Sequence, residues 1–352
     1  MPNPFFYGGR VNPEQFVGRR AELQRIFAGL EVAHTGQMQS FSVVGPRRIG
    51  KSSLLFYVAN RYARYLTQPA NYRLAYVDLQ DASCKTLDGL LRKILHELQL
   101  TPRRSKTFTL ADFQNQILEF KRAGNFPVVC LDEFEDLAHN TDEFKHDLYD
   151  SWRHLMSENA ITFITASKSP LIDLAQTLGY TSPFFNVFTH LPLGELTDDE
   201  ARELIARGAN CDRPFSPTEQ SDALLLAGKH PYKLQLAGSL LYQAKADNRA
   251  VDWAELRREF VTQLQKVGLV APVQKTAGAR ISFALRWLAA SPELIGRAIL
   301  ESILRLKKDD VSKSTAWIVG ACALVAALLA LSGIIHITLD DFLKLIERVQ
   351  GK

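Results

Sequence analysis

Cysteine is scarce in this chain, and what there is does not cluster. Its four cysteines, Cys84, Cys130, Cys211 and Cys322, show neither the paired spacing of a metal site nor a framework of bridges. Disulfide scaffolding and a cysteine-held metal are thereby excluded, and a reducing, cytosolic compartment is expected. Charge of one sign is lacking too. A formal net charge of +4 over 352 residues is too mild to require a nucleic-acid partner. The start, Met1-Pro-Asn-Pro-Phe-Phe, has no basic stretch leading into an apolar run, so no secretory signal is expected. Internal repeats and low-complexity tracts are missing, which excludes solenoids and compositionally biased arrays.

What is present is one strongly patterned segment. Phe41-Ser-Val-Val reads as an apolar strand running into Gly45-Pro46-Arg47-Arg48-Ile49-Gly50-Lys51-Ser52-Ser53, with helix formers behind it. That is G-x-x-x-x-G-K-S in its proper place between strand and helix. The two glycines let the backbone wrap closely around an anion. The first turn of the helix adds unpaired N–H groups and its positive dipole end. Lys51 would bridge the β- and γ-phosphates of a nucleotide, and the Ser52 hydroxyl would ligate Mg²⁺. The plainer alternative is a glycine-rich turn before a helix.

A second segment weighs against that alternative. Val128 to Leu131 read as a strand buried on both faces, and Asp132 and Glu133 follow at its C-terminal end, where open α/β sheets place their ligands. Asp132 can hold Mg²⁺, usually through water. Glu133 is placed to polarise the water that attacks the γ-phosphate. Glu135 and Asp136 read as the solvated start of the next segment, and Cys130 as a small apolar filler.

Further strands are expected over Tyr72–Leu79, Ala160–Ala166 and Val187–Leu193, with helices over Lys51 to about Tyr65 and Leu87–Leu98. A strand between the P-loop strand and the acidic strand implies a parallel α/β sheet in the order 5-1-4-3-2. From Thr197 the pattern turns wholly helical. Thr197 to Glu200 and Ser216-Pro217-Thr-Glu219 are capping boxes, and helices are expected over Pro231–Ala246 and Trp253–Gln265. A small helical domain in this position reads as a lid over the base and ribose.

The region from about Gly278 to Asp310 is amphipathic and basic, facing either an anion or plain solvent. Arg103, Arg104 and Lys106 form a similar short basic loop. Ser314 to Ile335 then runs without a charge and is rich in Leu, Ile and Val. About 20 such residues span the roughly 30 Å of a bilayer core. Their summed insertion free energy is roughly −3 to −5 kcal/mol before glycine and serine subtract. Lys307, Lys308 and Lys313 precede the run and Asp340 and Asp341 follow it, so the N-terminal side is expected in the cytoplasm. Small residues four apart (Ala316/Gly320, Ala323/Ala327) would let two such helices pack closely. The alternative is a buried hairpin helix in a soluble C-terminal domain.

The motif set resembles bacterial AAA+-like ATPases of the STAND (signal-transduction ATPase) group. The likeness rests on Asn3-Pro-Phe-Phe-Tyr-Gly-Gly, Phe16-Val17-Gly18-Arg19-Arg20, the P-loop, Leu131-Asp-Glu133, Ser182-Pro-Phe-Phe-Asn186 and Ala227-Gly-Lys-His-Pro231-Tyr. It covers about residues 3 to 245. The resemblance implies that Val17 and Gly18 line an adenine pocket through their backbone and that Pro231 closes it from the lid. It makes Thr165 the polar sensor near the γ-phosphate. Arg153 is then either a charge-stabilising arginine within or between subunits or a plain surface arginine. Two positions depart from the family pattern: Lys168 stands where an arginine is usual, and Lys229 where a second glycine is usual. A lysine cannot make the forked contact of a guanidinium, so phosphate sensing there is weakened.

These readings add up to a P-loop NTPase of AAA+ type with ATP or ADP and Mg²⁺ as cofactors. The expected organisation is an N-terminal lead (1–35), an α/β ATPase domain (36–195), a helical lid (196–268), a basic linker (269–313), a transmembrane helix (314–336) and a short tail (337–352). The expected role is an ATP-hydrolysing switch, self-associating, anchored to the inner membrane with its ATPase domain in the cytoplasm and acting on an unidentified protein effector. The alternative is a DNA-handling ATPase of origin-recognition or transposition-regulator type with a soluble C-terminal domain. The apolar run argues against it.

Overall fold

In the computed structural model, which describes residues 3–102, 107–179, 182–246 and 251–270, the expected strands all form. They are β1 (Phe41–Val44), β2 (Tyr72–Asp78), β3 (Phe126–Asp132), β4 (Thr162–Ser167) and β5 (Thr189–Pro192). All pairings are parallel. The spatial order β2-β3-β4-β1-β5 is 5-1-4-3-2 read from the opposite edge. β1 thus lies between β4 and β5, and the P-loop and the end of β3 emerge on the same rim of the sheet.

Both faces of this sheet are covered, which is why β3 is an unbroken apolar run rather than an alternating one. Val129 and Leu131 point to one layer together with Ala75, Val77 and Phe163. Val128 and Cys130 point to the other with Val43, Ile164 and Ala166. The helices α1 (Arg20–Glu31) and α2 (Lys51–Arg61) cover the Cys130 face. Helices α3 (Leu87–Glu97), α4 (Leu110–Arg122), α5 (Phe134–His139), α6 (His146–Ser157) and α7 (Leu171–Leu178) cover the other. Cys130 is fully buried, and burial pushes its thiol well above the ordinary range. It is the apolar filler its position suggested.

The helices expected to form a lid, and named the lid on that account, follow as α8 (Asp198–Ala206), α9 (Pro217–Ala227), α10 (Pro231–Ala244) and α11 (Trp253–Lys266). Both capping boxes form. Thr197 and Glu200 satisfy each other's backbone N–H, as do Ser216 and Glu219, with Pro217 in the first turn. Each such cap contributes about 1 kcal/mol.

The chain divides into two units, Met1–Lys266 and Val267–Lys352, and the sheet, its helices and the lid all belong to the first. Among the described residues no helix is long and apolar enough to cross a membrane. The expected transmembrane helix 314–336, the tail 337–352, the basic linker from residue 271 onward, the basic loop at Arg103, Arg104 and Lys106, and Cys322 lie outside the described residues.

Residues 3–11 form a strap across the first unit. Asn3 Nδ2 donates to Ser239 Oγ at 2.9 Å and the Phe6 N–H to Gln235 Oε1 at 3.0 Å, both on α10. The Phe5 ring stacks on Phe215 with centroids 5.5 Å apart, and the Val11 N–H reaches Ser53 Oγ on α2 at 3.2 Å. Gly238 makes room for the strap, since a Cβ there would lie 2.5 Å from the Phe5 ring. Helix propensity alone would make Gly238→Ala stabilising by about 1 kcal/mol. Overpacking costs about 1–3 kcal/mol and here prevails, because the whole strap must move. Thermal unfolding should therefore show Gly238→Ala with a Tm lowered by several degrees, and a raised Tm would show that Phe5 does not pack there.

Candidate active site

β1 carries the chain to the sheet rim, and the P-loop turns back over it. A Cβ on Gly45 would stand 2.6 Å from the Leu193 carbonyl oxygen just past β5, so only glycine fits that approach. Gly50 has φ +102°, and Arg48 also takes the left-handed region at φ +62°. The loop ends at the first residue of α2, Lys51, which is buried. Its ammonium donates to the carbonyls of Gly45 at 2.8 Å and Pro46 at 3.1 Å. Burial lowers the Lys51 pKa, opposed by the carboxylates of Glu133, Glu135 and Asp132.

Opposite the loop stands the end of β3. Asp132 is buried, its Oδ2 accepting from the Tyr76 hydroxyl at 2.6 Å and its Oδ1 from the Glu133 N–H at 3.1 Å. Burial raises its pKa, opposed by hydrogen bonds from Tyr76 and Ser52. The Ser52 hydroxyl therefore lies near the Asp132 carboxylate, an all-oxygen pair of the kind hard divalent cations take. Among the described residues no cluster of His, Cys, Asp and Glu forms a metal site by itself. The pair suits a cation that brings phosphate oxygens and water, which is magnesium's habit.

Glu133 has left-handed backbone angles, φ +52° and ψ +52°. For a residue with a Cβ this costs about 1 kcal/mol or more. The turn lets the chain leave β3 and start α5 while the carboxylate faces the cleft. Lys168 Nζ stands 3.4 Å from Glu133 Oε2. The Lys168 backbone N–H donates to Glu135 Oε1, while Glu135 Oε2 has no partner. The expectation of a solvated Glu135 is thus overturned. It is buried because α5 turns inward beside the end of β4.

A cleft of about 370 Å³ runs from these groups to the lid. Arg47, Arg48, Ile49, Gly50, Lys51, Ser52, Ser53 and Glu133 line one end, and Val17, Leu196, Leu204, Pro231 and Tyr232 line the other. The Arg48 guanidinium lies 4.6 Å from the centroid of Tyr232, so loop and lid touch. Among the remaining residues singled out from sequence, Gly45, Pro46 and Asp132 support the cleft without lining it. Gly18 stands behind the wall at φ +75°, with the Glu200 side chain 3.0 Å from where its Cβ would be. Thr165 is fully buried in β4 with an unpartnered hydroxyl. The end of that strand is Ser167, so Lys168 rather than Thr165 reaches the cleft's acidic residues. Arg153 is exposed on α6 and does not line the cleft.

Sequence reasoning gave Arg19 no role. It has φ +60° and is buried, donating from Nη2 to the Ile49 carbonyl at 2.8 Å and from Nη1 to the Glu195 carbonyl at 3.4 Å. One guanidinium thus ties the P-loop to the start of the lid. Beside a local ion pair to Glu22 at 3.4 Å, its partners in this tie are backbone oxygens far along the chain, which leave no mark in a sequence. The left-handed Gly18-Arg19 turn was the single available signal.

Comparison with solved structures shows the same fold in proteins of low identity. The Walker-type ATPase PABY2304 of Pyrococcus abyssi superposes with a TM-score of 0.57 at 16% identity, over 99% of this chain and 93% of that one. The Aeropyrum pernix ORC2 protein in ADPNP–ADP complexes gives a TM-score of 0.58 at 17% identity, over 94% and 87% of the two chains. No curated protein matches. A family model does, over residues 31–276, well over half of the chain. With that match, this strand order and a P-loop facing Asp132 and Glu133, the chain belongs to the nSTAND2 family, Novel STAND NTPase 2.

Proposed function

We propose that this chain is an ATP-hydrolysing switch of the STAND/AAA+ kind, anchored to the inner membrane by residues 314–336 with its ATPase unit in the cytoplasm. The observation that carries the reading is the convergence of Lys51, Ser52 and Glu133 on one cleft, with Asp132 behind Ser52 and Pro231 and Tyr232 on the far wall. The P-loop amides bind the phosphates, and Lys51 exchanges its loop carbonyls for phosphate oxygens. Glu133 orients the attacking water and takes its proton, for which Lys168 must release the carboxylate. Ser52 and, through water, Asp132 would hold a magnesium ion, which would supply charge neutralisation at the phosphates. Val17, Pro231 and Tyr232 hold the base, so bound nucleotide draws the lid onto the sheet. Lys168 in the arginine position is consistent with slow turnover.

Arg153 supports self-association, since an exposed arginine on α6 has no work within its own cleft and can enter a neighbour's. The output passes to an effector protein through residues beyond the lid. A DNA-handling ATPase would share this cleft, and the uncharged run 314–335 favours the anchored reading over it. Fractionation decides the anchor. The full chain should pellet with membranes and resist a high-salt wash, and a chain ending at residue 313 should stay in the supernatant. A full chain that remains soluble removes the membrane from the reading. Steeply salt-dependent DNA binding by that soluble chain would favour the alternative.

A further inference from the structure

Tyr76 on β2 lies outside the cleft and Arg10 in the strap lines its wall, and both lead to Asp132. The Tyr76 hydroxyl donates to Asp132 Oδ2 at 2.6 Å. The Arg10 guanidinium lies 4.6 Å from the Tyr76 centroid and 4.7 Å from that of Phe56, and the two rings meet edge to face at 5.3 Å. Arg10 also hydrogen-bonds the Tyr76 side chain and feels the charges of Asp78 and Asp132. The residues just before Arg10 grip the lid: the Phe6 N–H binds Gln235, and Tyr7 packs edge-on against Tyr232 at 6.0 Å. A continuous line of contacts therefore runs from α10 through the strap to the acidic end of β3.

We propose that Tyr76 and Arg10 are positioning residues for the Asp132 carboxylate, setting the cleft's affinity for a nucleotide-bound divalent cation according to how the lid holds the strap. The inference rests on the reading of the cleft as a nucleotide–magnesium site. Asp132 has two oxygens, and the bond from Tyr76 restrains one of them. The carboxylate then cannot rotate freely, and its remaining lone pairs stay directed toward Ser52. Arg10 in turn fixes the ring that carries the hydroxyl. Outer-shell groups of this kind alter metal affinity by about 10–100-fold when removed.

The test uses the purified full chain and a fluorescent ATP analogue, titrated first in EDTA and then with increasing MgCl₂. Tyr76→Phe keeps the ring, its packing on Phe56 and the platform for Arg10. It should bind the analogue in EDTA as wild type does, and need about tenfold more Mg²⁺ for the half-maximal response. Arg10→Met, which keeps an apolar stem beside Phe56, should shift the Mg²⁺ midpoint in the same direction by a smaller factor. A Tyr76→Phe titration that overlays wild type overturns the proposal. So does an equal loss of affinity in EDTA and in Mg²⁺, which would mark a purely structural role. An Arg10→Met midpoint equal to that of wild type overturns the part assigned to the strap. A wild-type chain that binds no analogue under either condition is a different result, which sinks the reading of the cleft and this inference with it.

Discussion

Lys51→Ala should weaken ATP binding by two to three orders of magnitude, measured by calorimetry or with a fluorescent analogue. The ammonium is buried at the start of α2, within reach of the loop carbonyls and in the field of Asp132, Glu133 and Glu135. Hydrogen bonds to charged groups contribute about 1.5–3 kcal/mol each. Loss of two such bonds to phosphate oxygens, taken toward the low end of that range, amounts to about 3–4 kcal/mol, a factor of several hundred in affinity. Electrostatics adds to this. Removal of Lys51 leaves Lys168, already paired with Glu133, to balance those carboxylates, so a triphosphate faces a more acidic wall. The loop itself should survive, because its path is set by the close approach of Gly45 to Leu193 and by Arg19 on the Ile49 carbonyl. An unchanged Tm beside the lost affinity separates this from unfolding. Affinity within threefold of wild type would mean that the loop does not hold phosphate.

The sheet was legible because its signals are local. An apolar run with glycines behind it and an apolar run with acids behind it leave few alternatives, and right-handed crossovers order the rest. The helices after β5 were legible for the same reason, through two capping boxes and Pro217. What the sequence hid depends on distant partners. Helix α4 begins with a capping box closed by Asp112 instead of glutamate, so it was not singled out. Glu135 looks like a surface acid and is buried, because the left-handed turn at Glu133 sends α5 inward. Thr165 reads as a sensor by resemblance, while it is buried within β4, which runs to Ser167. The bond from Tyr76 to Asp132 depends on the register of β2 against β3, where Asp78 pairs with Asp132. Tyr76 reads in the sequence as one more strand aromatic.

Glu133→Gln should cut phosphate release by about 10²–10⁴-fold, the usual contribution of a general base, while ATP affinity stays within a few-fold of wild type. The substitution keeps the side chain's length and its Cβ, so the cost of the left-handed backbone at φ +52° is the same in both proteins. The P-loop contacts and the Asp132 network remain, since Asp132 Oδ1 accepts from the residue-133 backbone N–H and not from its side chain. Two things change. The amide cannot take a proton from water, and Lys168 loses the carboxylate that stands 3.4 Å from its ammonium. The second change frees Lys168 to turn toward phosphate, so affinity should hold or rise slightly rather than fall. Single-turnover phosphate release against equilibrium binding separates the two effects, because only the first acts on the rate. A variant that releases phosphate as fast as wild type would show that Glu133 is not the base. Its strained backbone would then serve only to aim α5.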